Sequence, residues 1–417
     1  MNSPALTNLL RDNPIVVTGM GCSSAAGDSV AALWQAALAG RGLAAWREFP
    51  AANREPLRFA VCSAPEIDIS SPQLHSVRKA DRCAQLALVA AHQAWEQAGL
   101  DGTYPRERIG VMVGSSRGPL GKINESFERL GRGALLPSLS AQSSMGSLSG
   151  GLAQHFNLKG PGAVISATCA SAAFAVASAA EQILLGKTDA MLVGGAEAPL
   201  HAAVLAQLES SGVLGSHAEA PQTCRPFDVT RNGMVLGEGS AFLVLESARL
   251  AARRGAKSLA NLTGWSMSID SSGRTGVHED GSSVEQAMEC ALDIARLSPG
   301  QIGYVNAHGS GTVMNDLAEA KALGRVFGNH GVPCSSTKPV TGHCLGATPA
   351  LEAILCVEAL RRQKLPPSVN CAQPDPQCPI YLASAQSQPA PLHSVMSNSL
   401  GFWGYHASLI FSAANGV

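Results

Sequence analysis

Short apolar segments alternate with helix-like segments along most of this chain, and that alternation constrains the fold more than any other feature. Buried strands are predicted at residues 15–18, 109–114, 164–167, 190–194 and 241–245. Segments with the apolar faces of helices lie between them, at residues 80–98 and 146–156 and in a small-residue stretch that runs to about residue 185. Buried strands separated by helices predict an α/β architecture with helices packed on the sheet faces.

The second half of the chain repeats the pattern of the first half. Residues 109–115 resemble residues 302–308, and the strand, Ser/Thr turn and Ala-rich helix of residues 164–185 recur at residues 332–360. Both halves close on strand-like segments, at residues 241–245 and 407–411. We therefore predict two duplicated α/β halves, residues 1–255 and 256–417, with a boundary near residues 251–260.

Composition limits the classes of protein to which this chain can belong. Its 417 residues exceed one ordinary domain, and its formal net charge of −1 predicts no strongly basic surface for nucleic acid. The 11 cysteines form no CxxC pair and no zinc-like spacing with histidine, which is typical of a reduced cytosolic protein. Because the sequence contains neither a signal-peptide pattern at residues 1–13 nor a long uniformly apolar run, we expect a cytoplasmic protein that does not enter a membrane.

Cys169 lies in the most informative local context of the sequence. It occupies a turn between a predicted strand and a predicted small-residue helix. The N–H groups and macrodipole at a helix N-terminus favour a thiolate, and the turn lifts the sulfur toward a substrate carbonyl. Since most unpaired cysteines are simply buried apolar residues, the context of Cys169 indicates a nucleophile and the cysteine content does not.

Two later segments supply candidate partners for this thiol. His308 follows a predicted strand at the sheet edge where α/β sites form, and His343 precedes a helix whose positive end disfavours imidazolium. Lys338 is either a surface lysine or a buried one that needs a carboxylate, which Asp316 or Glu319 can supply. A thiol with two histidines and a lysine indicates carbon–carbon bond chemistry on a thioester.

Taken in order, these segments resemble the elongating type II β-ketoacyl-acyl carrier protein synthases of the thiolase superfamily. The resemblance extends from about residue 15 to residue 411 and includes Arg-Pro-Phe-Asp at 225–228, Gly-Glu-Gly at 237–239 and Ser-Ser-Thr-Lys at 335–338. It implies a thiolase-like fold, with two similar α/β halves in a five-layer α-β-α-β-α core, and a dimer.

The resemblance also implies an activity and a role for each candidate residue. Cys169 would accept an acyl group from the phosphopantetheine of an acyl carrier protein, and His308 and His343 would bind the carbonyl of a malonyl extender that loses carbon dioxide. The resemblance also implies three supporting roles. The N–H groups of Cys169 and Phe402 would form an oxyanion hole, and Lys338, held by Glu319, would order the histidines. Ser310 and Thr312 would contact the pantetheine arm. We expect no metal and no bound organic cofactor.

Two positions depart from the elongating enzymes. Trp403 replaces a glycine in the C-terminal gating turn, where its β-carbon would restrict the backbone. Arg117 replaces an apolar residue of the acyl pocket, where it would shorten the pocket, pair with a polar or acidic acyl terminus, or form a salt bridge at a dimer interface. Both departures favour a specialised polyketide, polyene or modified fatty-acid pathway.

Three alternative functions share parts of this sequence pattern. A housekeeping fatty-acid elongation synthase shares the same motifs. A thiolase needs a second cysteine in a C-terminal Cys-Gly motif, whereas residues 400–402 read Leu-Gly-Phe. A non-catalytic chain-length-factor subunit lacks the nucleophilic cysteine, although this chain can be either a homodimer or the active half of a heterodimer with such a factor.

Overall fold

The computed structural model describes residues 4–51, 55–271, 278–328, 331–384 and 390–414. Helices and strands alternate along these residues, as the sequence predicts. The strands are β1 Ile15–Ser23, β2 Ala45–Phe49, β3 Leu57–Cys62, β4 Ile109–Gly114, β5 Gly162–Ile165, β6 Ala190–Glu197, β7 Leu236–Gly237, β8 Gly239–Ser247, β9 Ala260–Trp265, β10 Ser268–Ile269, β11 Tyr304–Asn306, β12 Pro333–Ser335, β13 Tyr381–Leu382, β14 Ser394–Leu400 and β15 Tyr405–Ala413. The α-helices are α1 Pro4–Asp12, α2 Val30–Leu38, α3 Arg82–Ala98, α4 Leu120–Gly131, α5 Leu139–Gln142, α6 Gly146–Phe156, α7 Ser171–Leu184, α8 Ala202–Ser210, α9 Ala248–Arg253, α10 Ser282–Ala295, α11 Val313–Phe327, α12 Lys338–Thr341 and α13 Thr348–Arg362.

One large mixed sheet organises the fold. Its strand order is β13-β12-β11-β14-β15-β9-β1-β8-β6-β4-β5, with β10 paired to β15 beside this path. A small separate sheet has the order β2-β3-β7. The two halves of the chain meet inside the large sheet, where β9 pairs with β1.

The strand order repeats on either side of that junction. Outward from β1, the series β1-β8-β6-β4-β5 has two antiparallel pairings and then two parallel ones. Outward from β9, the series β9-β15-β14-β11-β12 has the same pairings in the same order. The segments with similar sequences therefore occupy equivalent strands, and the duplication is confirmed by topology. The boundary near residue 255, between α9 and β9, stays a prediction.

Two Ala-rich helices form a central layer between the two halves of the sheet. Helix α13 is buried from Thr348 to Leu360 and contacts β8, β14, β15 and α7. Helix α7 contacts β4 and β6, whose residues Met191 and Val193 face it. Leu192 faces the opposite way, toward α3, and α10 covers β9 and β15. These layers give the five-layer α-β-α-β-α core, because small side chains let two helices pack closely between sheets.

The duplicated topology brings the candidate residues to one edge of the sheet. Arg117 follows β4 and Cys169 follows β5 in the first half, while His308 follows β11 and Lys338 follows β12 in the second. Neighbouring parallel strands end at a common edge, so Arg117 and Cys169 lie at one edge in the first half, and His308 and Lys338 lie at the corresponding edge in the second. Within the described residues, no helix combines the length and the apolar character needed to cross a membrane.

Candidate active site

A cavity of about 770 Å³ opens between the two halves at this edge. The residues that the sequence singled out and that line it are Arg117, Cys169, His308, Ser310, Thr312, His343, Phe402 and Trp403. Lys338, Asp316 and Glu319 lie outside the lining and are fully buried. The sequence therefore identified both the wall of the site and part of its support.

The turn that carries Cys169 is strained and tightly held. Thr168 has φ of 49°, a left-handed value that β-branched residues rarely adopt. Ser171 stabilises this turn, since its hydroxyl donates to the Thr168 carbonyl at 2.6 Å and accepts from the Ala167 N–H at 2.9 Å. Strain of this kind concentrates at functional sites, where the surrounding structure fixes an otherwise unfavourable geometry.

The C-terminal turn packs directly on the Cys169 turn. The Thr168 hydroxyl donates to the Phe402 carbonyl at 3.1 Å, and the Phe402 N–H is close enough to the Cys169 sulfur to lower the pKa of the thiol. A β-carbon on Gly401 would lie 2.1 Å from Thr168 Oγ1 and 3.1 Å from the Cys169 nitrogen. Only glycine allows this approach, which places the Phe402 N–H beside the thiol.

Cys169 is a protonated thiol in the resting site. Burial raises the pKa of Cys169 to about 12, although the charge of Lys338 and the Phe402 N–H act in the opposite direction. The expectation that the helix N-terminus favours a thiolate is therefore wrong for the resting enzyme. The desolvation of a buried sulfur outweighs the positive groups around it.

The two histidines meet edge to face across the cavity. Their ring centroids are 5.3 Å apart at an interplanar angle of 80°. Burial lowers the pKa of both His308 and His343 well below the ordinary value, and the charge of Lys338 lowers both further. His343 Nδ1 lies 3.0 Å from Thr348 Oγ1, so a hydroxyl donating to Nδ1 leaves Nε2–H as the donor of the ring. Both imidazoles are neutral, as the position of His343 predicts, but burial is the main cause.

Lys338 is a buried residue whose partner differs from the predicted one. Its Nζ lies 2.7 Å from Glu352 Oε1 and also donates to the His308 carbonyl. Glu319 instead accepts the N–H groups of His308 and Gly309, each at 2.8 Å. The prediction that Glu319 holds Lys338 is wrong, because backbone donors of the turn after β11 occupy that carboxylate.

Asp316 supports the loop between His308 and α11 and does not pair with Lys338. It accepts the Gly311 N–H at 3.1 Å and the Phe227 N–H at 2.9 Å, and Arg231 lies 3.9 Å away. In the loop that Asp316 holds, Ser310 and Thr312 join their hydroxyls at 2.9 Å and line the cavity.

Two carboxylates at the site were missed by the sequence argument. Glu352 is fully buried, and burial raises its pKa to about 7 against the opposing effect of Lys338. Glu197 ends β6 and is also fully buried, where it accepts from the Ser116 hydroxyl at 2.8 Å. A single acidic residue in the apolar stretch 349–357 is a usable signal for Glu352, since a buried carboxylate requires a partner. Glu197 carries a weaker signal, an acidic residue at the end of a buried strand.

The gating turn adopts an unusual backbone at the position where the sequence departs from the resemblance. Trp403 has φ of 64° and ψ of 18°, and its side chain is 58% exposed. The restriction predicted for this residue is visible as a left-handed conformation that a bulky side chain adopts at a cost of roughly 1–3 kcal/mol. Trp403 thus forms part of the cavity rim.

The acidic, histidine and cysteine side chains of the described residues are too dispersed for a metal site. In the part of the chain that the structure describes, no three His, Cys, Asp or Glu side chains are grouped so that they could hold a metal ion. The expectation that catalysis requires neither a metal nor a bound cofactor stays a prediction, which only an activity measurement tests.

Comparisons with known sequences decide the family. The β-ketoacyl synthase N-terminal domain matches residues 12–251, and the β-ketoacyl synthase C-terminal domain matches residues 259–372. This chain belongs to the β-ketoacyl synthase family. The resemblance noted from its motifs is confirmed.

Individual relatives cover nearly the whole chain. The 3-oxoacyl-[acyl-carrier-protein] synthase 2 of Staphylococcus aureus (strain COL) is 33% identical over 407 residues, which span 95% of this chain and 97% of that protein. Nodulation protein E of Rhizobium leguminosarum bv. trifolii is 37% identical over 421 residues, with 96% and 99% covered.

Solved structures agree with the thiolase-like fold. A type II polyketide synthase acyl carrier protein in complex with its ketosynthase bound to the hexaketide gives a TM-score of 0.88 at 26% identity, with 96% of this chain and 100% of that chain covered. The ishigamide ketosynthase/chain length factor gives a TM-score of 0.88 at 28% identity, with 97% and 100% covered.

Proposed function

We propose that this ketosynthase condenses an acyl group held on Cys169 with malonyl-acyl carrier protein to give 3-oxoacyl-acyl carrier protein and carbon dioxide. The observation that carries the proposal is the convergence of Cys169, His308 and His343 on one cavity, with the Phe402 N–H beside the sulfur. The S. aureus relative is named for this product class.

The first half-reaction transfers the acyl group to the thiol. Cys169 Sγ attacks the carbonyl of an acyl thioester, the carbon–sulfur bond to phosphopantetheine breaks, and the thiol proton leaves with the departing pantetheine sulfur. The N–H groups of Cys169 and Phe402 stabilise the oxyanion of this step. Ser310 and Thr312, on the cavity wall, contact the pantetheine arm.

The second half-reaction uses the two neutral histidines. They donate hydrogen bonds to the thioester carbonyl of the malonyl group, so the electron pair released with carbon dioxide is stabilised on that oxygen. The resulting carbon nucleophile attacks the acyl-Cys169 carbonyl, and the Cys169 sulfur leaves and takes a proton from solvent. The Lys338 ammonium group donates to the main-chain carbonyl of His308 and so holds the backbone of that residue. The carboxylate of Glu352 balances the charge of Lys338. The chemistry requires no metal or organic cofactor.

The thiolase alternative lacks a suitable second thiol. Cys344 is fully buried, its Sγ lies 3.5 Å from the Thr341 carbonyl oxygen, and it does not line the cavity. The chain-length-factor alternative does not account for the retention of Cys169 beside both histidines.

The partners of this enzyme follow from the same proposal. An acyl carrier protein delivers both substrates in the cytoplasm, and the enzyme works as a dimer with itself or with a chain-length-factor-like ketosynthase. Related structures contain both kinds of partner, an acyl carrier protein in one and a chain length factor in the other. Arg117 and Trp403 in the cavity support a specialised pathway over housekeeping elongation.

A condensation assay tests this function. Purified enzyme receives acyl- and malonyl-acyl carrier proteins, and mass spectrometry follows the 3-oxoacyl product. We expect product from the wild-type enzyme and none from Cys169→Ala; equal product from both would refute the proposal. Efficient turnover of saturated chains of every length would instead support housekeeping elongation and overturn the specialised assignment.

A further inference from the structure

The cavity beside Cys169 contains one fixed positive charge and no compensating acid. Among the described residues that line it, Arg117 is the single Asp, Glu, Lys or Arg side chain. The histidines in the lining are neutral, because burial lowers their pKa well below the ordinary value. Any substrate group that enters this cavity therefore meets a cation in mostly apolar and hydroxyl-lined surroundings.

The main chain of Arg117 is held by hydrogen bonds, whereas its guanidinium has no bonding partner among the described residues. The Arg117 N–H donates to Glu197 Oε1 at 3.2 Å, and the Ser116 hydroxyl donates to the same oxygen at 2.8 Å. Within the described parts of the chain, the guanidinium of this half-buried residue makes no hydrogen bond or ion pair. Within one subunit, Glu197 thus positions the main chain of the turn and does not engage the Arg117 guanidinium.

Other partly buried arginines in the structure show what a satisfied guanidinium looks like. Arg82 binds Glu238 through two nitrogens, at 2.9 and 2.8 Å, and Arg254 binds Glu246 in a similar two-pronged arrangement. Removing water from a guanidinium costs free energy unless a hydrogen-bonding partner replaces it. A carboxylate is the best such partner, because it accepts two charge-assisted hydrogen bonds. An alkyl chain that packs beside Arg117 would remove water from the guanidinium without supplying a hydrogen-bond acceptor.

Arg117 also lies within electrostatic reach of the nucleophile. Its charge is among the influences that lower the pKa of Cys169, although burial dominates that pKa. Both side chains line the same cavity, and an acyl group attached to Cys169 would extend into it. The extender is a poor partner for this cation, because holding the malonyl carboxylate in an ion pair would oppose its loss as carbon dioxide.

We infer that Arg117 selects acyl groups that carry a carboxylate at the end remote from the thioester, and that such ω-carboxyacyl chains are loaded on Cys169. The inference rests on the proposed function, and it names the class of acyl substrate for that site. Bidentate pairing of the guanidinium with the remote carboxylate supplies the discrimination.

A half-reaction assay tests the inference without malonyl substrate. The wild-type enzyme is mixed with carrier proteins that bear ω-carboxyacyl chains or methyl-terminated chains of matched length, and intact-mass spectrometry follows the acylation rate of Cys169. We expect at least about tenfold faster acylation by the carboxylate series, because charge-assisted hydrogen bonds are worth that ratio or more. Arg117→Met should abolish this preference, and Arg117→Lys should retain part of it.

A matched control removes a positive charge elsewhere. Arg11, which is exposed on α1 and pairs with Asp12, is replaced in Arg11→Met and should leave the preference unchanged. Acylation by both series with no preference, or a preference that survives in Arg117→Met, would overturn the inference while leaving the proposed function intact. Failure of every chain to acylate Cys169 would overturn the proposed function and this inference together.

Discussion

Cys169 lies where a nucleophile is needed, but its side chain is buried, and burial determines the protonation state of the thiol. Because burial raises the pKa of Cys169 to about 12, the thiol is neutral near pH 7 and must lose its proton during acyl transfer. The surrounding N–H groups and the Lys338 charge then act on the charge that develops, rather than on a preformed thiolate.

The alkylation of Cys169 should depend steeply on pH. Below a pKa of about 12 the thiolate fraction grows about tenfold for each pH unit, so the rate of modification by iodoacetamide should rise throughout the range from about pH 7 to 9. Peptide mass mapping isolates Cys169 from the other cysteines. A rate that levels off near neutral pH would show a preformed thiolate and contradict this account.

The Lys338–Glu352 ion pair is a fully buried charge pair that supports the site. At about pH 8.5, where the Glu352 carboxyl with its pKa of about 7 is ionised, Glu352→Gln would leave the Lys338 charge fully buried without that anion, so we expect the free energy of unfolding to fall by about 3 kcal/mol. Lys338→Met in the Glu352→Gln background is the matched test, because it removes the charge that the first change leaves unpaired. Denaturant titration measures both variants; a loss that Lys338→Met does not reduce would contradict the pairing of Lys338 with Glu352.

Sequence reasoning at this scale found residues but not their pairings. Cys169, His308 and His343 were identifiable because each lies at a turn after a strand, where chemistry-bearing side chains are exposed to a cleft. The partner of Lys338 was not, since Glu319 and Glu352 are both acidic residues on nearby helices. Their assignment depends on which helix passes the ammonium group, and that is decided by tertiary packing.

The C-terminal turn is the element that connects the cavity rim to the second half of the sheet. Trp403 and Gly404 are both left-handed, with φ of 64° and 73°. The Gly404 carbonyl accepts the Asp270 N–H at 2.8 Å, next to β10, while the Phe402 N–H lies at the Cys169 sulfur. Contacts on both sides hold the turn closed over the thiol.

Gly404→Ala should therefore impair acylation of Cys169. The added β-carbon would lie 2.1 Å from the Asp270 carbonyl oxygen, so the turn must move and carry the Phe402 N–H with it. Gly99→Ala is the matched control, because Gly99 has φ of 60° at the end of α3 with open space around its β-carbon position. We expect a loss of about tenfold or more in the acylation rate for the first variant, of the size seen when one oxyanion donor is removed, and none for the second. Equal rates in the two variants would exclude this role of the turn.

The elements themselves were largely predictable from sequence. Helix α6 and strand β4 have the bounds that hydrophobic patterning gave them. The sequence predicted that the backbone at Trp403 would be restricted, but it did not predict the positive φ angle. That angle depends on the contact of the turn with the residues next to β10. Local pattern thus predicts these elements with their bounds, whereas the conformation of the turn between β14 and β15 depends on contacts with other elements.

The whole molecule is built from two similar halves that share a helical layer. Helix α13 belongs to the second half but contacts β8 of the first, and β1 pairs with β9 across the junction. Either half alone would expose this apolar interface. The sequence predicted the duplication from repeated strand and helix patterns, whereas the pairing of β1 with β9 has no local signal.

The full chain should consequently unfold as one unit. We expect a single thermal transition by circular dichroism and calorimetry, and we expect residues 1–255 or 256–417 expressed alone to be unfolded or aggregated, because each leaves the central layer uncovered. Two separate transitions, or a soluble and folded isolated half, would contradict the shared core.

Intact-mass spectrometry of the enzyme after exposure to acyl-carrier proteins shows whether Cys169 carries the acyl group. We expect a mass increase equal to one acyl group per chain, mapped to the peptide that contains Cys169, absent in Cys169→Ala and discharged when malonyl-acyl carrier protein is added. An acyl group that maps to another residue, or a Cys169→Ala enzyme that is still acylated, would contradict it.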